Sequence, residues 1–135
     1  MKTLLSLIKI EHTLFALPLA FTGAVLGARG LPPILVLLLM AVAFTAARSS
    51  AMAFNRIADR HLDAQNPRTA DREIPSGTLS VPRVWGLVIV SIAVFLAASW
   101  AINPLCGKLA PFALVVLLGY SYTKRFTPFC HYLLG

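Results

Sequence analysis

Three oxygen-bearing side chains, Asn55, Asp59 and Asp63, recur at every fourth residue of the segment NRIADRHLD. Each residue of an α-helix turns by about 100°, so every fourth position advances by only about 40° and the three side chains share one face. Carboxylate and amide oxygens suit a hard cation such as Mg²⁺, which commonly keeps substrate phosphates in its shell. The spacing therefore predicts a Mg²⁺ site for a diphosphate substrate.

A simpler interpretation of the same face is a solvated helix end, on which the two aspartates pair with Arg56 and Arg60. Two carboxylates one turn apart repel each other unless a cation or an arginine neutralises them. The two interpretations differ in what supplies the positive charge, and the spacing alone leaves both open.

The loop that follows carries two arginines one helical turn apart, Arg68 and Arg72. A guanidinium group can bind phosphate oxygens with two parallel hydrogen bonds. Residues 75–77, Pro-Ser-Gly, predict a turn that folds the loop back over the membrane surface. These features favour a diphosphate clamp; the alternative is an ordinary cytoplasmic connector that is basic because of membrane topology.

The composition is that of a membrane protein, with 58% hydrophobic and 13% charged residues and a mean hydropathy of +0.78. A membrane-spanning helix needs about 20 apolar residues. Four runs approach or reach that length: about Thr13–Ala28, Leu31–Ala47, Val84–Ile102 and Leu109–Tyr122. We predict an all-α, polytopic helical bundle in one domain, 1–135, with four spans and the start of a fifth.

The second apolar run should extend beyond the membrane as one helix. No Gly or Pro lies between Ile34 and Asn66, so about 30 residues can form a single helix. Its charged end and the loop after it, at about 48–83, would carry the polar chemistry. Three glycines inside other runs, Gly23, Gly27 and Gly119, are expected where neighbouring helices approach closely.

The net charge of +7 reflects topology rather than nucleic-acid binding, because the basic residues flank apolar runs. If the spans alternate, one side of the membrane holds Lys2, Lys9, Arg48, Arg56, Arg60, Arg68, Arg72, Arg83, Lys124 and Arg125. The other side holds only Arg29 and Lys108. The positive-inside rule then places the N-terminus and the motif loop in the cytoplasm, in a cell inner membrane.

The segment from Asn55 to Gly77, NRIADRHLDAQNPRTADREIPSG, resembles the first aspartate-rich motif and loop of the UbiA superfamily of intramembrane aromatic prenyltransferases. Residues 8–21, IKIEHTLFALPLAF, are similar to the first helix of that family. Residues 120–127, YSYTKRFT, are similar to its Tyr-x-x-x-Lys segment. The 4-hydroxybenzoate polyprenyltransferase-like group, which includes enzymes of ubiquinone and of menaquinone synthesis, is the variant most resembled.

The resemblance implies Mg²⁺-assisted transfer of a polyprenyl group from polyprenyl diphosphate to an aromatic acceptor. Asn55, Asp59 and Asp63 would then hold the metal, with Asp59 and Asp63 as the catalytic carboxylates. The diphosphate would be bound by Arg68, Arg72, Tyr120 and Lys124. From composition alone, Tyr120 would be an interfacial aromatic residue and Lys124 a topology anchor.

The chain departs from the family pattern in length, since family members are about twice as long and carry a second aspartate-rich motif. No carboxylate follows Glu73, which predicts a fragment of the family bundle, its first half, that is inactive alone. One alternative is an inert membrane scaffold or regulatory subunit. Another is a different membrane enzyme acting on diphosphate-linked alcohols, whose pattern of early Asp-Gly and later Gly residues is missing here.

Overall fold

The structure, a computed structural model, describes Leu7 and residues 10–123, with side chains for Leu7 and 13–123. These residues form the helices α1 (Ile10–Ala28), α2 (Ile34–Gln65), α3 (Val81–Ile102) and α4 (Pro104–Thr123), and no strand occurs among them. The all-α prediction is confirmed for this part of the chain. The predicted start of a fifth span lies outside the described residues.

Helices α2, α3 and α4 are long and apolar enough to cross a membrane, whereas the apolar part of α1, Thr13–Ala28, is shorter. Helix α2 is unbroken over 32 residues, or about 48 Å at 1.5 Å per residue. A hydrocarbon core is only about 30 Å thick. The prediction of one continuous helix that carries Asn55, Asp59 and Asp63 is therefore confirmed, and this helix is longer than a hydrocarbon core is thick.

Helix α4 begins at Pro104, earlier than the apolar run at Leu109 predicted. The side-chain oxygen Oδ1 of Asn103 accepts a hydrogen bond of 2.8 Å from the backbone N–H of Cys106, which caps the new helix. Proline is well suited to the first helical turn because its missing N–H would have no partner there. Asn103 and Pro104 therefore end α3 and start α4 with almost no connecting loop.

The packing centre lies between α2 and α3, with α4 against both and α1 against α2. Phe54 of α2 packs against two other helices. The centre of its ring lies 5.9 Å from the ring centre of Trp85 in α3 and 5.9 Å from that of Tyr122 in α4. Both pairs are edge-to-face, which is a favoured aromatic geometry. Phe54 precedes Asn55, so these contacts fix the part of α2 where the predicted site begins.

The close helix approach occurs at a glycine that the sequence did not indicate. A Cβ at Gly107 of α4 would collide with the indole ring of Trp100 of α3. No described atom lies within 4 Å of a Cβ at Gly23, Gly27 or Gly119. The expectation that these three glycines admit a neighbouring helix is therefore wrong for the described part of the chain.

The loop between α2 and α3 folds back onto the helices. Gly77 has a φ of +74°, a left-handed conformation that glycine adopts without steric cost, and its N–H donates to the Ile74 carbonyl at 3.0 Å. Leu79 follows this turn and is buried in the core with Ala53 of α2 and Val84 of α3. The predicted turn is thus present, and Leu79 anchors it.

Candidate functional site

The two aspartates of the predicted metal face are buried at the end of α2. Asp59 and Asp63 are each only 7% exposed, and Asn55 is half-buried one turn earlier. A buried carboxylate must be neutralised or well hydrogen-bonded, because removing a charge from water is costly. The solvated helix end that the sequence also allowed does not describe these two side chains.

Arg72 supplies the positive charge at Asp63. Its Nη1 atom lies 2.7 Å from Oδ1 and 2.9 Å from Oδ2 of Asp63, both within the range of charge-assisted hydrogen bonds. The pairing of Asp63 with Arg60 that the simpler interpretation assumed is replaced by an arginine from the loop. A loop side chain supports this contact, since the Thr69 hydroxyl donates to the backbone carbonyl of Asp63 at 3.0 Å.

A second ion pair joins the loop to α2. The Nε atom of Arg56 lies 3.9 Å from Oε2 of Glu73, and the Arg56 side chain is almost fully buried. Arg72 and Glu73 are adjacent in sequence, so the loop places one cation and one anion on the same helix end. This pair was not predicted, because the loop had to fold before Glu73 could reach Arg56.

An open cavity of about 650 Å³ lies beside this helix end, between α2 and α4. Its polar residues include Asn55, Arg56, Arg72 and Tyr120. The remaining lining residues are Phe44, Ala47, Arg48, Ala51, Met52, Leu117 and Ser121. A pocket that combines charged and polar groups with apolar walls is suited to a ligand with a charged head and a hydrophobic body.

The structure brings together most of the residues that the sequence predicted. Asn55, Arg72 and Tyr120 line the cavity, and Asp63 is joined to it through Arg72. Arg68 is exposed and is not among the cavity-lining residues. Lys124 lies outside the described residues, and its predicted role stays a prediction.

Arg48 is a functional candidate that the predicted site did not include. Its Nε atom is buried and has no hydrogen-bond partner among the described residues. Leaving a buried polar group unsatisfied costs about 1–3 kcal/mol, and more when the group is charged. Its seven-residue spacing from Asn55 was a usable signal, because seven residues return a helix to nearly the same face.

The donor set suits a hard cation but does not form a complete metal cage. Among the side chains that the structure describes, no three His, Cys, Asp or Glu residues are grouped closely enough to hold a metal. Asn55, Asp59 and Asp63 offer two carboxylates and one amide on successive turns of one helix. Mg²⁺ often takes only one or two carboxylates and completes its shell with water and substrate phosphate, so these residues fit part of such a shell.

Known proteins resemble the chain in sequence and in structure. It is 35% identical to a 4-hydroxybenzoate octaprenyltransferase of Shewanella frigidimarina over 124 residues, 91% of this chain and 43% of that protein. An Aeromonas hydrophila protein of the same name is 33% identical over 130 residues, which are 96% of this chain and 43% of that protein. The apo structure of a UbiA homologue from Aeropyrum pernix K1 superposes with a TM-score of 0.86 and 38% identity, over 93% of this chain and 45% of that one.

The chain thus spans less than half the length of these relatives. Residues 16–135 match the UbiA prenyltransferase family. This match covers the α2 end, the Arg72 loop and the cavity, and it agrees with the helical fold shared with the Aeropyrum structure. The chain belongs to the UbiA prenyltransferase family.

Proposed function

We propose that this chain binds a polyprenyl diphosphate and serves the transfer of its polyprenyl group to a 4-hydroxybenzoate-like aromatic acceptor in quinone biosynthesis. The main support is one contact: Arg72, which lines the cavity with Asn55 and Tyr120, forms an ion pair with Asp63 through its Nη1 atom, which reaches both carboxylate oxygens. A residue suited to bind diphosphate and a residue suited to bind its counter-cation therefore touch each other. The names of the relatives support the substrate classes.

In the proposed reaction, the bond between the allylic carbon and the diphosphate oxygen breaks and negative charge develops on the leaving group. Arg72, Lys124 and the Tyr120 hydroxyl would donate hydrogen bonds to its oxygens, as fixed donors that stabilise the transition state more than the ground state. An acceptor ring carbon then bonds to the allylic carbon, and the ring releases a proton. The apolar cavity walls would keep water away from the allylic carbocation that this bond cleavage leaves.

Asn55, Asp59 and Asp63 are the residues that would hold Mg²⁺. When bound, Mg²⁺ would supply positive charge to the diphosphate. Both Asp63 oxygens are hydrogen-bonded by Arg72, so a metal and Arg72 would compete for this carboxylate. We therefore propose that Arg72 turns from Asp63 toward the diphosphate as the substrate binds. Arg68, which is exposed outside the cavity, would contribute less.

The chain is a membrane protein, and we propose the cell inner membrane with the α2–α3 loop in the cytoplasm. The support is the asymmetry of basic residues, which places all but two of the 12 lysines and arginines on one side. Cytoplasmic segments carry such an excess. This orientation gives the site access to soluble acceptors and the cavity access to lipid.

The proposed function is tested by binding of geranyl diphosphate to the chain in lipid nanodiscs, with and without Mg²⁺. We expect Mg²⁺ to strengthen binding, and Asp59→Asn and Asp63→Asn to remove that gain. Asp71→Asn is the matched control, because Asp71 is an exposed acid in the same loop. Absence of diphosphate binding in the unaltered chain would instead support an inert scaffold or regulatory subunit, and equal effects of all three substitutions would contradict the metal assignment.

A further inference from the structure

Glu73 of the α2–α3 loop is held both by its side chain and by its backbone. Its Oε2 atom lies 3.9 Å from the Nε atom of Arg56, and this oxygen is buried. Its backbone carbonyl accepts a hydrogen bond of 2.8 Å from the N–H of Leu79, a residue that is buried in the core with Ala53 and Val84. The position of Glu73 is therefore set by α2 and by the core together.

Arg72, the residue before Glu73, is held differently. Its side chain is 35% exposed, against 14% for Glu73, and its partner Asp63 is a residue that would hold Mg²⁺ in the proposed reaction. Arg56 and Asp63 are seven residues apart on nearly the same face of α2, which is about 10 Å along the axis. Two consecutive loop residues thus contact α2 two turns apart. If Arg72 leaves Asp63 for a diphosphate, the Arg56–Glu73 pair still joins the loop to α2.

Burial makes the Arg56–Glu73 pair the more durable of these two attachments. The Arg56 and Glu73 side chains are 10% and 14% exposed, and buried ion pairs are screened by solvent and salt much less than exposed ones. A loop without this pair would leave the backbone of Arg72 free to move once its side chain has left Asp63. Donors that must be ordered during binding contribute less affinity than donors that are already in place.

We propose that Glu73 is a positioning residue, which holds the loop on α2 through Arg56 while Arg72 exchanges Asp63 for the diphosphate. The inference rests on the proposed function, and it adds to that function a residue outside the cavity. Glu73 is not among the described residues that line the cavity, so it acts on the diphosphate through its neighbour Arg72. The backbone of Arg72 would keep its place during the exchange, and only the guanidinium would move.

The test measures hydrogen exchange of the loop amides by mass spectrometry, on the full chain in nanodiscs, with and without geranyl diphosphate and Mg²⁺. The reporters are the amides of Ser76 and Leu79, which donate to the backbone carbonyls of Arg72 and Glu73 at 2.9 and 2.8 Å. In the unaltered chain, the ligand should change their exchange rates by less than about twofold, because the loop stays attached.

Glu73→Gln should make this exchange dependent on the ligand. Without ligand, the rates should stay within about threefold of those in the unaltered chain, because Arg72 still binds Asp63. With ligand, they should rise at least about tenfold, because both attachments to α2 are then lost. A residue that only stabilises the folded loop would raise the rates equally in both conditions.

The affinity for geranyl diphosphate gives a second readout on the same variants. Glu73→Gln should weaken binding by about tenfold, because the Arg72 donor must then be ordered by the ligand. Glu73→Asp keeps the charge on a shorter side chain, and it should retain part of the affinity. Asp71→Asn is the matched control, since it removes an exposed acid on the other side of Arg72, and it should change neither affinity nor exchange.

The proposal is overturned if Glu73→Gln exchanges equally fast with and without ligand, or if Asp71→Asn has the same effects. A tenfold rise with ligand in the unaltered chain also overturns it, and this comparison requires no variant to fold. If geranyl diphosphate binds and Glu73→Gln responds to it like the unaltered chain, only the Glu73 assignment fails. If the unaltered chain binds no geranyl diphosphate, the proposed function fails, and the role of Glu73 fails with it.

Discussion

At the scale of single residues, the Asp63–Arg72 pair links the chemistry of the site to its stability. Asp63 is 7% exposed, so its charge depends on Arg72 rather than on water. Arg72 itself is partly exposed, with 35% of its side-chain surface accessible, and solvent screens part of the attraction. The pair should therefore stabilise the loop moderately, while leaving Arg72 free to rotate toward a ligand.

This pair predicts a compensating double substitution. Arg72→Gln should lower the free energy of unfolding by about 1–3 kcal/mol, because the Asp63 carboxylate loses its charged donor. Adding Asp63→Asn should restore part of that loss, since a neutral amide requires no counter-charge. Thermal unfolding of the four variants in one detergent measures the coupling. Arg68→Gln is the control, and strictly additive losses at 63 and 72 would contradict the pairing.

Tyr120 and its neighbour Tyr122 give a matched test of the diphosphate end. Tyr120 lines the cavity, whereas the Tyr122 ring packs against Phe54. Tyr120→Phe should weaken geranyl diphosphate binding by roughly tenfold, because hydrogen bonds to charged groups contribute about 1.5–3 kcal/mol. Tyr122→Phe should leave the affinity within twofold. The measurement is a titration of both variants with geranyl diphosphate. An equal loss of affinity in the two variants would show that the effect comes from packing.

The sequence predicted some of these residue relationships because they depend only on local geometry. The common face of Asn55, Asp59 and Asp63 follows from helix periodicity. The Asp63–Arg72 and Arg56–Glu73 contacts depend on how the loop after Asn66 folds back onto α2, which no local pattern specifies. The Nε atom of Arg48, which has no hydrogen-bond partner among the described residues, lies beside a cavity that α4 also lines, and this position likewise depends on tertiary packing.

At the scale of elements, α2 was predictable and the helix contacts were not. A stretch without Gly or Pro and with a strong apolar first half specifies a continuous helix. The contact of Gly107 with Trp100 depends on the rotation of α4 against α3, which sequence periodicity does not fix. Glycines inside apolar runs therefore indicate where a helix can approach, but they do not say which glycine is used.

Gly107 predicts a stability effect with a spectroscopic signature. Gly107→Ala should force the Trp100 indole away from α4, and the lost packing should outweigh the better helix propensity of alanine. Gly119→Ala lies in the same helix, where no described atom comes within 4 Å of an added Cβ, and it should be neutral or slightly stabilising. Both are measured as melting temperature and tryptophan emission in a Trp85→Phe background. Unchanged emission and stability in Gly107→Ala would show that this contact does not stabilise the bundle.

At the scale of the whole molecule, charge asymmetry predicts the orientation in the membrane. A reporter that is active only in the cytoplasm should be active when inserted in the α2–α3 loop after Gly77. It should be inactive when inserted after Gly30, between α1 and α2. Replacing Arg56 or Arg72 would damage the site, so Arg83→Gln is the better topology control, and it should leave the loop cytoplasmic. Activity after Gly30 would reverse the assignment.

All five acidic residues lie at or before Glu73, so the described bundle supplies one group of carboxylates to the proposed site. The chain covers 43% of the Shewanella protein and 45% of the Aeropyrum chain, and the family resemblance implies a second aspartate-rich segment. A diphosphate leaving group needs opposing charge throughout its departure. One group of carboxylates and a single clamp should therefore support binding better than turnover.

The last prediction follows from this division of the site. Alone, the chain should bind geranyl diphosphate but transfer no prenyl group to 4-hydroxybenzoate. The chain should be co-expressed with the part of the Shewanella protein that it does not match. We expect measurable prenyl transfer in the isolated membranes, because a second aspartate-rich segment would complete the charge around the leaving group. Asp63→Asn in the co-expressed chain should abolish that transfer, whereas Asp71→Asn should not. Equal turnover with and without the partner segment would show that this chain carries the complete catalytic machinery.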